Sequence, residues 1–576
     1  MRQLFWISLF LGLIAAGVIV KESPVPKDAK LNRHFITKAL MSYTRNRDPE
    51  VRSASCGLCR LLVDFVQIAI KSNRTDEAIM KDVEALCRNL NVEQPHVCNS
   101  IVQMFGPEII FVLQRAVFTP DEICGGLVAD CGHSENPLQE MWNMTIPEGK
   151  PPVKPWPTVP SGKPTMRVLH LSDIHIDRWY SVGSDSDCNN GKGIDAFGTY
   201  ALCCREYPPT AANREQKASK SPAGPWGATA RCDIPYQTFD SAMRYINRTE
   251  KFDYIMVTGD FEAHDMWDYT RERTKANIEN ITAVLREYFP HTPIYQTIGN
   301  HEGVPMDGMP AHTMDGYDTH SPEWLYKELA DQWKPDITAK AYNDVIYRAS
   351  YSIYIKPNLK LVSLNSVYCS AFNFFMYLDQ VHIISHIPTG DGYCLKGWAS
   401  NYYKIVNRFE NTIAAQFFGH THNDHFEVFY EDFNPKGRPT HFNFIAGSLT
   451  TYDFMNPSYR IYTIDGAYTG STYTVIDAET YWGDVNEANK NNREPDWKLE
   501  YTTKKEYKMP DLSPASWNDL INRFDNDAFL FQKFHTHYYR NKDQEPLCPF
   551  EEKCRKEFTC ALRSARSYDS ATFCPA

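Results

Sequence analysis

Five short blocks rich in Asp, Asn and His recur between residues 173 and 422. They are Asp173-Ile174-His175, Gly259-Asp260, Gly299-Asn300-His301-Glu302, Ser385-His386-Ile387-Pro388 and Gly419-His420-Thr421-His422. Each follows a run that reads as a buried strand. Strand candidates are Val168 to Leu171, Tyr254 to Val257, Ile294 to Ile298, Leu361 to Leu364, Val381 to Ile384 and Ile413 to Phe418. Helical stretches such as 235–250 and 270–288 lie between some of them. Strands alternating with helices predict a layered α/β sandwich. Ligands in such folds gather beyond the carboxyl ends of strands, and all five blocks sit there.

Those blocks supply seven candidate metal ligands: Asp173, His175, Asp260, Asn300, His386, His420 and His422. If Asp260 bridges, each of two ions receives four protein ligands and keeps room for water or substrate. Oxygen and imidazole donors without thiolate suit Zn²⁺, Mn²⁺ or Fe. Two divalent ions about 3.5–4 Å apart suit attack on phosphorus: one generates the nucleophile and the other holds a phosphoryl oxygen.

A chain of 576 residues exceeds what one core usually fills, so two or more domains are expected. The net charge of -11 argues against a nucleic-acid partner, which needs a basic footprint. Arg2 followed by an apolar stretch from Leu4 to Val20, with Ala15, Ala16 and Gly17 near its end, reads as a cleaved signal peptide over residues 1–20. No later stretch reaches ~20 consecutive apolar residues, so the mature chain is expected to be soluble. Sixteen cysteines fit an oxidising compartment. Four acceptor sequons, at Asn73, Asn143, Asn247 and Asn280, agree with secretory passage. The expected location is secreted or lysosomal.

Residues 21–50 read as a propeptide or lead-in. Residues 51–135 form an expected all-α module with six cysteines, at 56, 59, 87, 98, 124 and 131. Leu61, Leu62, Phe65, Ile68 and Ala69 follow one helix face. A richer apolar run from Ile101 to Leu113 contains Pro107, expected to bend or restart its helix. Six cysteines allow fifteen pairings, which spacing alone does not resolve. Residues 136–165 form a linker, with seven prolines between 147 and 164. Residues 166–465 make the expected catalytic domain. Residues 466–576 are expected to be a helical C-terminal region stapled by Cys548, Cys554, Cys560 and Cys574.

The six-cysteine pattern resembles a saposin B-type domain. The resemblance implies the pairs Cys56–Cys131, Cys59–Cys124 and Cys87–Cys98, and apolar helix faces that engage lipid. The five blocks resemble the calcineurin-like metallophosphoesterase superfamily. Taken together, the chain resembles the acid sphingomyelinase family over nearly its full length. Val381-His-Ile-Ile-Ser-His-Ile-Pro388 and Ala414-Ala-Gln-Phe-Phe-Gly-His-Thr-His422 carry that likeness further. It implies two Zn²⁺, one on Asp173, His175, Asp260 and His422, the other on Asp260, Asn300, His386 and His420. It also implies cleavage of sphingomyelin to ceramide and phosphocholine at a sphingomyelin-containing membrane surface. A metal-bound water loses its proton near neutral pH, and the hydroxide attacks phosphorus in line. The ceramide alkoxide then needs a proton, and the family places His264 and His301 beside it. A histidine donor must be charged, which favours acidic pH. The family further suggests Cys188–Cys203, Cys204–Cys232, Cys369–Cys394, Cys548–Cys554 and Cys560–Cys574.

His170 and His382 read as packed strand residues, and no motif places His312, His320 or His425 on metal. Glu302 is expected to orient a neighbour. One departure stands out: sixteen residues separate Asn365 from His382, where parallel strands need a crossover of a dozen or more. Two rival readings follow. One is a phosphodiesterase acting on other phospholipids or nucleotides. The other is a non-catalytic lipid-binding homologue. Nothing in the sequence sets the oligomeric state.

Overall fold

The structure, a computed structural model, describes residues 60, 63–64, 66–89, 94–115, 119–127, 131, 144–188, 202–207, 221–312, 314, 316–370, 372–373, 386–541, 550–569 and 574. The expected signal peptide and lead-in, the crossover before His386, and Cys56, Cys59 and Cys548 lie outside them.

A six-stranded sheet organises the chain from Thr165 onward, in the order β11-β10-β9-β1-β2-β3. Its strands are β1 (Thr165–Leu171), β2 (Tyr254–Val257), β3 (Ile294–Gln296), β9 (Ser458–Asp465), β10 (Val475–Trp482) and β11 (Lys498–Thr502). β1, β2 and β3 run parallel, whereas β9 pairs antiparallel with β1. All four residues of β2 are buried, as expected of a strand covered on both faces. A second sheet has the order β6-β8-β7, with β6 (Phe417–Phe418), β7 (His425–Tyr430) and β8 (Pro439–Ile445). The two sheets meet through aromatic rings. Phe417 and Phe444 lie 4.8 and 5.1 Å from Tyr462, centroid to centroid. This is the layered α/β architecture the patterning implied.

The helices Tyr236–Thr249 and Arg271–Tyr288 fall where the periodicity placed them. Thr270 caps the second by accepting from the Arg273 amide at 3.1 Å. The proline-rich segment is not a free spacer over its described part. Its backbone is held by side chains near the helix Lys396–Arg408: the Met144 amide donates to Asn401 Oδ1 at 2.9 Å, and Arg408 Nε donates to the Pro147 carbonyl at 2.9 Å.

Four expectations change. Leu361 to Leu364 does not join the large sheet. Instead β5 (Leu359–Ser363) closes an antiparallel hairpin with β4 (Tyr351–Lys356). The region from 466 is not simply helical, because β10 and β11 extend the sheet before the helices Pro514–Asn526, Ala528–Tyr538 and Glu552–Leu562 begin. Its alternating, half-buried residues lack a long apolar run, so the strands were hidden. The helix Pro95–Arg115 continues through Pro107 instead of restarting. Cys369 and Cys394 are buried free thiols, not a disulfide. The Ser370–Cys394 bridge brings them together, but the sulfurs interact as a hydrogen-bonded pair.

Cys87–Cys98, Cys188–Cys203, Cys204–Cys232 and Cys560–Cys574 are bonded. Cys124, Cys131 and Cys554 are also disulfide-bonded, and the pairings expected for them involve positions outside the described residues.

The N-terminal described segment is all-α: Asp76–Asn89, Pro95–Arg115 and Pro120–Leu127. Pro95–Arg115 is apolar and long enough to cross a membrane by composition, yet 61% of that window is buried within the protein. Its residues Ile101, Phe105 and Ile109 share a cluster with Ala263, Met266, Trp267, Tyr269, Met306 and Tyr452. The helix packs against the turn Met266–Asp268, which follows the second motif loop.

Candidate metal centre

Four of the five motif blocks leave the end of a strand at one edge of the sandwich. β1 delivers Asp173 and His175, β2 delivers Asp260, β3 delivers Asn300 and His301, and β6 delivers His420 and His422. His386 arrives from a segment outside the described residues, and Ser366 Oγ accepts its backbone amide at 2.6 Å.

The turns are tight enough to force unusual backbone. Asp173, His175, Asp260, His420 and His422 all have positive φ, between 40° and 71°. Left-handed backbone in non-glycine residues costs of order 1–3 kcal/mol each and persists where the surroundings over-determine it. Two motif glycines permit the approach. A Cβ on Gly259 would lie 2.3 Å from the Gly299 nitrogen, and one on Gly419 would lie 1.9 Å from Ser172 Oγ.

The seven candidate ligands come together. Asp173, His175 and His422 offer ligand atoms all within 4.8 Å of one another, and so do Asp260, His386 and His420. Asp260 reaches both groups: its Oδ2 is 3.5 Å from His175 Nε2 and 3.0 Å from His386 Nε2. Asn300 Oδ1 is 3.1 Å from both His386 Nε2 and His420 Nδ1. His422 Nε2 is 3.5 Å from Asp173 Oδ1.

Hydrogen bonding decides what those nitrogens can do. His175 Nδ1 donates to the Glu262 carbonyl at 2.6 Å, and His386 Nδ1 donates to the Thr258 carbonyl at 2.6 Å. With the proton fixed on Nδ1, each neutral ring turns a lone pair on Nε2 toward the site. Among the described residues, His175 Nε2 has no hydrogen-bond partner. Around His386, Nε2 meets Asp260 Oδ2 and Asn300 Oδ1 at 3.0 and 3.1 Å. One imidazole nitrogen and two oxygens crowd a buried point that only a positive charge, a proton or a cation, satisfies, so the donor set fits divalent metal.

The electrostatics agree. Burial pushes the Asp173 carboxyl up to about 6 and the His175 imidazole down to about 4. Burial also opposes charge on His386, but Asp260 beside it more than offsets this and raises His386 to about 10. Burial works against the charged form of Asp260 too, yet His386 and His301 hold its carboxyl well below the usual range. A buried cluster that captures a proton this strongly has the field a metal ion would satisfy.

Both proposed proton donors lie on the rim. The His264 ring is 4.2 Å from that of His175 and 4.8 Å from that of His301. His264 also stacks on Tyr452, with centroids 3.6 Å apart and planes at 9°. His175, His264 and His301 form a third group of metal-compatible atoms, overlapping the first at His175. Glu302 orients its neighbours, accepting from the amides of Gly299, Phe261 and Asp260 at 2.7, 2.7 and 3.2 Å. His170 is buried between Tyr462 and Thr258, and His425 bonds Thr421 Oγ1 at 2.9 Å. His382 lies outside the described residues.

Sequence reasoning missed Asp233, Tyr269, Thr450 and Tyr452, which surround His264 and His301. Asp233 follows Cys232 in a cysteine-rich loop and carries no ligand-like spacing. The Thr450-Thr-Tyr452 stretch follows β8, and that position beyond a strand end was the available signal.

Comparison with known proteins agrees with this geometry. The family profile described as calcineurin-like phosphoesterase matches residues 166–424, and that described as acid sphingomyelin phosphodiesterase C-terminal region matches residues 442–574. Sphingomyelin phosphodiesterase 2 of Caenorhabditis elegans is 51% identical over 583 residues, covering 96% of this chain and 92% of that protein. Sphingomyelin phosphodiesterase of Homo sapiens is 37% identical, covering 90% of this chain and 82% of that protein. The Bos taurus protein of the same name is 35% identical, covering 98% and 91%.

Proposed function

This chain belongs to the sphingomyelin phosphodiesterase family, and on that premise we propose that it hydrolyses sphingomyelin to ceramide and phosphocholine with two Zn²⁺ ions. One ion would be held by Asp173, His175, Asp260 and His422, the other by Asp260, Asn300, His386 and His420. The observation that carries the reading is Asp260 Oδ2, 3.5 Å from one histidine group and 3.0 Å from the other. When bound, such a pair acidifies water and neutralises charge building on phosphate.

The protein's own groups do the rest. Backbone bonds from His175 and His386 to carbonyls keep their Nε2 atoms available as ligands. Water oxygen bonds to phosphorus as the bond to the ceramide oxygen breaks. His264 or His301, both beside His175, returns a proton to that oxygen.

The helical module of residues 51–135 is proposed to be saposin-like and to present lipid from a sphingomyelin-containing membrane. The proposed domain boundaries are those read from the sequence, except that the catalytic domain runs on through β11 to Thr502 before the helical region begins. The signal-like start, the sequons and the disulfides support a secreted or lysosomal location.

Metal content measured beside turnover tests the whole reading. About two zinc ions per chain and hydrolysis of sphingomyelin vesicles at pH 5 are expected. A metal-free chain, or one active on a soluble nucleotide diester but inert on vesicles, would defeat it.

A further inference from the structure

We infer that Asp233 is the positioning residue that commits His264, in preference to His301, to protonating the leaving oxygen. The inference rests on the phosphodiesterase reading above and separates its two candidate donors.

Asp233 is fully buried and grips His264 twice. Its Oδ1 accepts from His264 Nδ1 at 2.9 Å, and its Oδ2 accepts from the His264 backbone amide at 2.7 Å. Thr450 Oγ1 donates to the same Oδ1 at 2.8 Å, which holds the carboxylate in place. Tyr452 covers one face of the ring. The imidazole is thereby fixed in rotation and tilt. Nδ1–H points at a carboxylate, so Nε2 is the nitrogen left to face a substrate. The carboxylate balances the positive charge that a ring protonated on both nitrogens carries.

His301 has a different partner on Nδ1. Tyr269 has one hydroxyl proton, and the Ala263 carbonyl takes it at 2.5 Å. The phenol oxygen, 2.7 Å from His301 Nδ1, therefore accepts from that nitrogen. A neutral phenol on Nδ1 does not balance a ring cation as a carboxylate does, and the carboxylate that His301 does meet, Asp260, is the one the two metal ions would share. His301 is held with its proton on Nδ1 and a lone pair on Nε2, which suits it to accept a hydrogen bond and not to give one.

The step balances. Water oxygen bonds to phosphorus and its proton passes to solvent. The bond from phosphorus to the ceramide oxygen breaks, its electron pair staying on that oxygen, which takes the Nε2 proton of His264. His264 is left neutral, still donating to Asp233, and solvent restores the proton.

The test compares two leaving groups. Ceramide leaves as an alkoxide and needs the proton, whereas 4-nitrophenolate leaves without one. With Asp233→Asn, kcat on sphingomyelin in detergent micelles is expected to fall about 100-fold with little change in KM, the size of a lost general acid. Turnover of 4-nitrophenyl phosphocholine should fall only a few-fold, and Asp233→Glu should recover part of the difference. Equal loss on both substrates would overturn the inference, because a structural role predicts that. A selective loss in Tyr269→Phe but not in Asp233→Asn would also overturn it, making His301 the donor. Should Asp233→Asn not fold, Thr450→Val must show the same selectivity at smaller size, and its absence counts against the inference. If the unaltered chain cleaves the nitrophenyl ester but not sphingomyelin, the functional reading fails. An alkyl phosphocholine ester then serves in the same comparison.

Discussion

His386 Nε2 lies 3.0 Å from Asp260 Oδ2, although the same ring already donates its Nδ1 proton to the Thr258 carbonyl. Both side chains are buried, so a positive charge, on a proton or on a metal ion, has to lie between the ring and the carboxylate. Replacing Asp260 removes the group shared by both halves of the centre. Asp260→Ala is expected to drop bound metal from about two ions to below one. It should also cut turnover by on the order of 10³-fold or more, since metal supplies several kcal/mol of charge stabilisation. Elemental analysis beside the kinetics checks this, and full metal occupancy in the variant would contradict the bridging role.

Gly259 sits at a φ of 89°, with the Gly299 nitrogen where a Cβ would go. Gly259→Ala therefore meets both a left-handed backbone and a backbone clash. A loss of about 2–4 kcal/mol is expected. Thermal unfolding measures it, and a variant as stable as the parent would show that the β2 and β3 loops separate freely.

Removing residues 53–132 is expected to do more than weaken lipid presentation. Pro95–Arg115 buries Met266 and Trp267, and Tyr269, whose hydroxyl is 2.7 Å from His301 Nδ1, follows two residues later. Turnover of a soluble phosphodiester should fall along with vesicle hydrolysis. The extra loss on vesicles measures the presentation role. Unimpaired soluble turnover would mean that the helix does not support the site.

Glu427 gives the fold a pH dependence. Burial raises its carboxyl to about 8, outweighing hydrogen bonds from Asn443 and the Gly390 amide. The folded state therefore holds a proton that the unfolded state releases near pH 4.5. Stability is fully present below that pH and is lost as pH rises through about 8, at up to about 1.4 kcal/mol per pH unit. The melting temperature should drop between pH 5 and pH 8. Glu427→Gln should shrink that drop, and an unchanged drop would remove Glu427 as its cause.

The ligand blocks were legible because each is local. A strand ends, a glycine permits a turn, and a short run of Asp, Asn or His follows. Asp173, His175, Asp260, Asn300, His420 and His422 could be placed beyond the carboxyl ends of strands from the apolar runs that precede them. The disulfides Cys188–Cys203 and Cys204–Cys232 came from the family likeness and not from spacing. Cys369 and Cys394, joined by the same likeness, meet as unbonded thiols.

Other features depend on contacts between distant segments. β10 and β11 are half-buried and alternate, so their place in the large sheet follows from pairing with β9, not from an apolar run. The helix Pro95–Arg115 reads from its sequence as lipid-facing ahead of core-facing, and only its partner at Met266–Asp268 shows the buried side.

The sequence by itself determined the metal-binding chemistry, because ligand type and order along the chain are local facts. The tertiary structure decided which nitrogen of each histidine a distant group engages. That choice belongs to partners far away in the chain: Thr258 for His386, Asp233 for His264 and Tyr269 for His301. A proton's position on a ring follows from what the opposite nitrogen touches, and only folding brings those groups within 3 Å.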